Sequence, residues 1–283
     1  MADDAQLLVL RPRRAGTLER LRELRNRRGL IPFFGRDMLE RRYARTLLGW
    51  VWIPLRPVLD ISTQLFLFGG VLSLSSEGVP YLLYLIVVLG AWRLFATTAY
   101  WATRSLEMNR TVLKRAYVPR LAIVCGSIIV SGVDYLIYLA IGVIAVVVYL
   151  LSDGTSHLAF GPETPLLFAG LACLILSGVG IGLVTSVYAT HVRDVRFTLG
   201  YALGFWQYIT PVVYPLSQVP DSLRAITLVN PMTAPIEMVK RGLFGVGELP
   251  AEAFISTGVF LVLFLVGGVL FFLRSESMAV DNL

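Results

Sequence analysis

The sequence predicts an all-α membrane protein. It has about six transmembrane helices, an N-terminal amphipathic interfacial helix, short re-entrant helices before the last span, and both termini in the cytoplasm. Composition is the first observation behind this. Of the 283 residues, 56% are hydrophobic, and the mean hydropathy is +0.70. A soluble domain of that length has too little interior to hide so much apolar side chain. Distribution is the second. The apolar residues fall into continuous blocks near residues 54–74, 81–101, 121–151, 166–190, 197–214 and 253–273. A spanning helix needs roughly 20 mostly apolar residues, whereas barrel strands would alternate over about 10. Charge is the third. With the N-terminus inside, 20 of the 25 Lys and Arg residues fall on the cytoplasmic side and three outside, with Arg56 and Arg93 inside blocks. The positive-inside rule sets the orientation accordingly. These basic residues face anionic lipid, and no nucleic-acid partner is needed to explain them.

Residues 1–30 form a basic cytoplasmic N-terminal segment, a surface helix or a tail. Asp3 and Asp4 stand where a cleaved signal would be positive, so the first span is expected to serve as an uncleaved signal. The transmembrane domain follows over residues 31–273. Within residues 31–52, helical spacing sets Leu39, Tyr43 and Leu47 on one stripe, with Arg41, Arg42 and Arg45 elsewhere on the surface. Trp50 and Trp52 mark an interface. This is the pattern of a helix lying along the membrane before the chain turns in at Pro54; a basic flank that only sets topology is the plainer alternative. The cytoplasmic loop at residues 103–120 mixes charges with Leu106, Val112, Leu113 and Tyr117, as a short helix with a contact face would. Residues 215–245 carry Pro215, Pro220, Pro231 and Pro235 yet stay fairly apolar. Broken backbone at membrane depth is tolerated when buried in protein or lining a wet cavity, so this stretch reads as a re-entrant gate on a translocation path. Residues 274–283 are a cytoplasmic tail.

Several chemistries are excluded. A phosphate-cradling loop needs Gly-rich backbone followed by Lys and Ser/Thr. The two lysines, Lys114 and Lys240, do not follow glycine, so the chain is not an ATPase. His157 and His191 are expected on opposite sides of the membrane, and no zinc spacing or nucleophilic triad can be drawn. No catalytic residue and no bound metal or cofactor is expected. Cys125 and Cys173 lie in apolar blocks and read as packing residues without a disulfide.

Ionisable residues inside spans are costly and default to functional candidates. Asp60, Arg93, Asp134 and Glu237 form that set, and Arg93 and Asp134 are expected to pair across helices or to serve the path. Aromatic residues form stripes: Phe197, Tyr201, Phe205 and Tyr208 in the fifth block, and Tyr84, Trp92 and Phe95 in the second. Sugars stack on such rings, with Tyr hydroxyl and Trp N–H groups as polar handles. Ordinary packing or lipid-facing aromatics are the alternative.

Particular segments then carry a family resemblance. RDMLERRYARTLLGWVWIPLRP at residues 36–57, GVPYLLYLIVVLGAWRLF at 78–95 and NRTVLKRAYVPR at 109–120 come first. HVRDVR at 191–196, then TPVVYPLSQVP at 210–220 and NPMTAPIE at 230–237, follow in order. From about Arg36 to Leu273 the chain resembles permease subunits of type-2 ABC exporters for polysaccharides and polyol phosphates, such as O-antigen, capsule and teichoic acid. Arg93 departs from that pattern, where family members usually have an uncharged residue. The resemblance implies a second copy of this chain and two ABC nucleotide-binding subunits, with ATP and Mg held by those subunits. It implies an ATPase-docking element in Asn109, Lys114, Tyr117, Pro119 and Arg120. Arg41, Arg42 and Arg45 would meet the phosphate of a lipid-linked polysaccharide. Pro215, Pro220, Asn230, Pro231 and Glu237 would belong to an outer gate. Other readings stay open: a permease for a lipid or drug, a proton-coupled transporter, or a membrane glycosyl or acyl transferase.

Overall fold

A computed structural model describes residues 17–43, 46–74 and 76–281. Among these the chain is mostly helical, with no strand. Four stretches are long and apolar enough to cross a bilayer: Tyr81–Met108, Arg120–Ser152, Thr164–His191 and Ala251–Ser275.

Two short helices come first, α1 (Thr17–Asn26) and α2 (Leu30–Tyr43). Of the stretch expected as one interfacial helix, 31–52, α2 covers the described residues up to Tyr43. A turn and a 3-10 segment, Gly49–Val51, stand between α2 and α3 (Trp52–Gln64), and α3 runs on into a π segment, Leu65–Val71. The long helices are α4 (Tyr81–Met108), α7 (Ser127–Ser152) and α8 (Thr164–His191), with α5 (Arg110–Arg115) and α6 (Arg120–Cys125) between α4 and α7. Next come α9 (Asp194–Ile209), α10 (Asp221–Val229) and α11 (Thr233–Phe244). The last apolar block is α12 (Ala251–Leu261), a π segment at Val262–Val266, and α13 (Gly267–Asp281).

Proline sets several of these starts. Pro80, Pro119, Pro220 and Pro250 immediately precede α4, α6, α10 and α12. A proline lacks the N–H that a helix start leaves unpaired anyway, and it disfavours helix in the residue before it. The block at 54–74 is not among the four long apolar helices because Arg56, Asp60 and Gln64 interrupt it. The block at 197–214 ends as helix at Ile209, ahead of Pro211. Sixteen helical residues rise about 24 Å, short of the roughly 30 Å hydrocarbon layer.

α4 is the centre of the bundle, packed against α7, α8, α9 and α11. Glycines on α8 set how close its neighbours come. A Cβ at Gly178 would stand 2.8 Å from the Phe95 carbonyl oxygen, and one at Gly182 would stand 2.1 Å from the Ala102 Cβ, both on α4. Gly180, on the opposite face, would meet the Phe264 backbone at 2.9 Å. The run GVGIG thus seats α8 between two partners, as small residues four apart do where lipid gives no hydrophobic drive for helix association. Hydroxyls also join α4 to its neighbours: Thr98 donates to Ser131 of α7 at 2.6 Å, and Thr103 lies 2.6 Å from Thr185 of α8.

Candidate functional site

A cavity of about 820 Å³ lies between α3, α4, α7 and α9. Its α3 wall is a stripe at four-residue spacing, Arg56, Asp60 and Gln64. Its α9 wall carries Tyr201, Phe205 and Tyr208, with Gly200 and Gly204 each just before an aromatic. Tyr201 is 81% exposed and Phe205 is 70% exposed. The two walls approach where Gln64 donates to the Tyr208 hydroxyl at 3.2 Å.

Two ion pairs organise the interior. Arg93 of α4 grips Asp60 with Nε at 2.6 Å and Nη2 at 2.7 Å, and the Tyr138 hydroxyl donates to the same carboxylate at 2.8 Å. Arg42 of α2 donates to both Asp134 oxygens, at 2.9 and 2.8 Å. The expected Arg93–Asp134 pair is therefore corrected: each residue has a different partner. Asp134 and Tyr138 are one turn apart on α7, and that turn separates the pairs. Asp134 faces α2, while Tyr138 reaches across to Asp60 and Arg93.

The candidate lipid-phosphate arginines divide. Arg42 is part-buried and tied to Asp134 through both carboxylate oxygens, so its guanidinium is already engaged. Arg41 is about half exposed, pairs with Asp37 at 2.9 Å and donates to the Met108 carbonyl at 2.8 Å. Arg45 lies outside the described residues. The aromatic candidates divide as well. Tyr201, Phe205 and Tyr208 line the cavity. Tyr84, Trp92 and Phe95 have essentially no exposed surface and belong to the core, a correction to their reading as path residues. Trp92 packs edge-on to Phe95 at 5.1 Å, and Phe95 edge-on to Trp206 at 5.5 Å. Helical spacing marks a stripe, but α4 is surrounded, so its stripe meets protein.

The docking candidates share one end of the bundle. Asn109 is buried at the end of α4, where its amide donates to the Ser105 carbonyl at 2.9 Å. Lys114 and Tyr117 are exposed, Pro119 is buried and Arg120 is half-buried. Tyr117 donates to Glu23 of α1 at 3.0 Å, and Arg20 of α1 reaches the Leu273 carbonyl at 2.7 Å. Arg196, at the start of α9, pairs with Glu107 at the end of α4. The HVRDVR loop and the 109–120 loop are therefore neighbours.

The gate candidates gather at the other end. Pro215 leads into a 3-10 turn at Leu216–Gln218, and Pro220 starts α10. Asn230 joins three segments. It accepts from Trp206 Nε1 at 3.0 Å and from the Met232 amide at 3.1 Å, and donates to Thr210 at 2.9 Å. The Pro231 carbonyl accepts from Thr257 at 2.7 Å. Glu237 is fully buried and binds Lys240, one turn on, at 2.8 Å, and the Glu248 amide at 3.0 Å.

Lys240 is one of the three basic residues that the charge count puts outside, with Arg224 and Arg241, and it is completely buried between Glu237 and Glu77, with the Tyr84 ring at 5.5 Å. Glu237-x-x-Lys240 spacing was a usable signal, since residues three apart on a helix meet. The other two members of that set are also paired: Arg224 with Glu248, and Arg241 with Glu163 at 2.9 Å. The hydrogen bond from Arg241 holds the Glu163 carboxyl below its ordinary range.

Comparison with known proteins agrees along most of the chain. An O-antigen export system permease protein, RfbA, of Klebsiella pneumoniae is 28% identical over 216 residues, 76% of this chain and 79% of the relative. RfbA of Myxococcus xanthus is 25% identical over 219 residues, 76% and 80% of the two chains. The polysialic acid transport protein KpsM of Escherichia coli is 20% identical over 249 residues, 85% and 91% of the two. The family model for the ABC-2 type transporter matches residues 36–244, from α2 to Phe244 at the end of α11. With that match and these relatives, the chain belongs to the ABC-2 type transporter family, as a multi-pass membrane permease.

Proposed function

We propose that this chain is the channel-forming subunit of an ATP-driven exporter that moves a lipid-linked polysaccharide, such as O-antigen, capsule or teichoic acid, across the cytoplasmic membrane. Two copies pair, and two separate nucleotide-binding subunits supply ATP and Mg chemistry from the cytoplasm. The 109–120 segment receives those subunits, because it offers exposed Lys114 and Tyr117 beside a cleft of about 270 Å³. Both termini lie inside. α3 with its π segment, and α9, complete six crossings by standing against protein at their polar faces. Helices α10 and α11 re-enter from outside as the gate.

The cavity between α3 and α9 is the observation that carries this reading. A sugar polymer needs a wet, weakly holding wall, with ring faces to stack on and polar groups to exchange hydrogen bonds. The cavity offers Tyr201, Phe205 and Tyr208 opposite Gln64, Thr63 and the Asp60 ion pair. A lipid or drug exporter would want a mostly apolar lining instead. The relatives named for O-antigen and polysialic acid add weight to the glycan. The test is loss of the chain in a cell that retains its ATPase. Surface glycan should disappear while lipid-linked glycan accumulates inside. Undiminished surface glycan sinks the proposal.

A further inference from the structure

We infer that the cavity holds an anion subsite, in which Arg56 with Arg93 takes a carboxylate or phosphate group borne by the exported molecule. The inference rests on the exporter reading and narrows its substrate to an acidic one at this point.

Charge within the cavity does not balance. Three arginines, Arg42, Arg56 and Arg93, face two carboxylates, Asp60 and Asp134. Both carboxylates are taken. Asp134 accepts two bonds from Arg42. Asp60 accepts two from Arg93 and one from Tyr138. Arg56, one turn before Asp60 on α3, has no carboxylate within salt-bridge reach among the described residues. Its guanidinium lies over the Trp52 ring, 5.8 Å from the centroid. Arg93 supports the same spot: its side chain stays 39% exposed even while gripping Asp60.

A spare arginine in a membrane-embedded cavity is costly to keep without a counter-charge. Its planar fork suits carboxylate and phosphate oxygens in two-point contact. Asp60 fixes Arg93 in place, so the subsite is ordered before a ligand arrives. Tyr201 and Phe205 stand on the facing wall, where a sugar ring could stack while its acidic group meets Arg56. The same chemistry could come from an acidic sugar in the polymer or from the pyrophosphate of the lipid carrier.

The test uses the full chain in lipid nanodiscs with its cognate ATPase. It compares Arg56→Gln and Arg56→Lys with the parent, since Arg56 is exposed and its loss leaves both ion pairs intact. Three probes are titrated: an oligogalacturonate, a neutral malto-oligosaccharide and a polyprenyl pyrophosphate. Arg56→Gln should weaken an acidic probe about tenfold, leave the neutral sugar unchanged, and be partly rescued by Lys. Loss confined to oligogalacturonate identifies the polymer as the source, and loss confined to the polyprenyl pyrophosphate identifies the carrier. Equal affinities in the parent and Arg56→Gln for both acidic probes, or no binding of either by the parent, overturn the subsite. The exporter reading is judged apart, by glycan export from cells: export that survives Arg56→Gln removes the subsite alone, whereas a parent complex that exports no glycan removes the reading beneath it.

Discussion

Lys240 and Glu237, three residues apart on α11, form a 2.8 Å ion pair in which neither side chain has any exposed surface. Glu77, on the turn before α4, approaches the same ammonium at 3.2 Å and accepts a hydrogen bond from Ser217 at 2.8 Å. One buried cation therefore joins α11, the turn before α4 and, through Glu77, the 3-10 turn at Leu216–Gln218. Removing one partner of a buried pair strands the other charge and costs about 3–5 kcal/mol, while replacing both is much milder. Lys240→Met should lower the thermal unfolding midpoint of the detergent-solubilised chain strongly, because it strands two carboxylates. Lys240→Met combined with Glu237→Gln should recover part of the loss. A single substitution as stable as the parent would show the pair to be unimportant.

The α8 glycines should behave by position. Gly182→Ala drives a methyl into Ala102, and Gly180→Ala drives one into the Phe264 backbone. Each should cost about 1–3 kcal/mol through overpacking. Gly132→Ala on α7 meets nothing within 4 Å and should be neutral or slightly stabilising, since alanine is the better helix former. Membrane yield and unfolding midpoint measured across the three variants check the order. Equal behaviour would remove close helix approach as the reason for glycine there.

Aromatic substitutions separate core from wall. Trp92→Ala and Phe95→Ala empty buried volume and should cost about 3–5 kcal/mol, seen as low membrane levels. Tyr201→Ala and Phe205→Ala remove exposed rings and should leave folding intact while slowing polymer export. Surface glycan at matched membrane levels is the readout. Normal export by both α9 variants would return those rings to ordinary lipid contact.

Acid should loosen the Arg241–Glu163 contact selectively. Arg241 keeps the Glu163 carboxyl below its ordinary range. A group whose folded pKa is depressed contributes stability above its unfolded pKa, near 4.3 for Glu, and loses it as pH falls through the folded value. The parent should therefore exceed Glu163→Gln slightly in unfolding midpoint at neutral pH, with the gap closing below about pH 4. Glu163 is solvent-exposed and screened, so the gap is small. A gap that widens with acid contradicts the pair.

Coupling should depend on the 109–120 segment. Tyr117→Ala or Arg120→Ala, at the proposed contact with the nucleotide-binding subunit, should leave the chain folded and ATP hydrolysis running while export falls. Side-by-side ATPase and export assays on the reconstituted complex decide it. Export that keeps pace with hydrolysis in both variants would free the segment from that role.

The sequence by itself determined the class of the molecule. Block length and composition require helices in a bilayer, because in hydrocarbon every backbone polar group must be satisfied within its own segment. The asymmetry of basic residues predicted which loops share an end. Arg196–Glu107 and Tyr117–Glu23 join such loops. Tertiary structure alone decided partners and faces. Arg93 was legible as a costly charge, but whether it met Asp60 or Asp134 depended on the rotation of α4 against α3 and α7. Trp92 and Tyr201 both sat on aromatic stripes, yet one helix is enclosed by neighbours and the other borders a cavity. A charge count could put Lys240 outside but not say that it is buried, and only the packing of α11 beside the turn before α4 supplied the carboxylates that allow it. Periodicity reports what lies along one helix; which neighbour stands opposite is a property of the packed bundle.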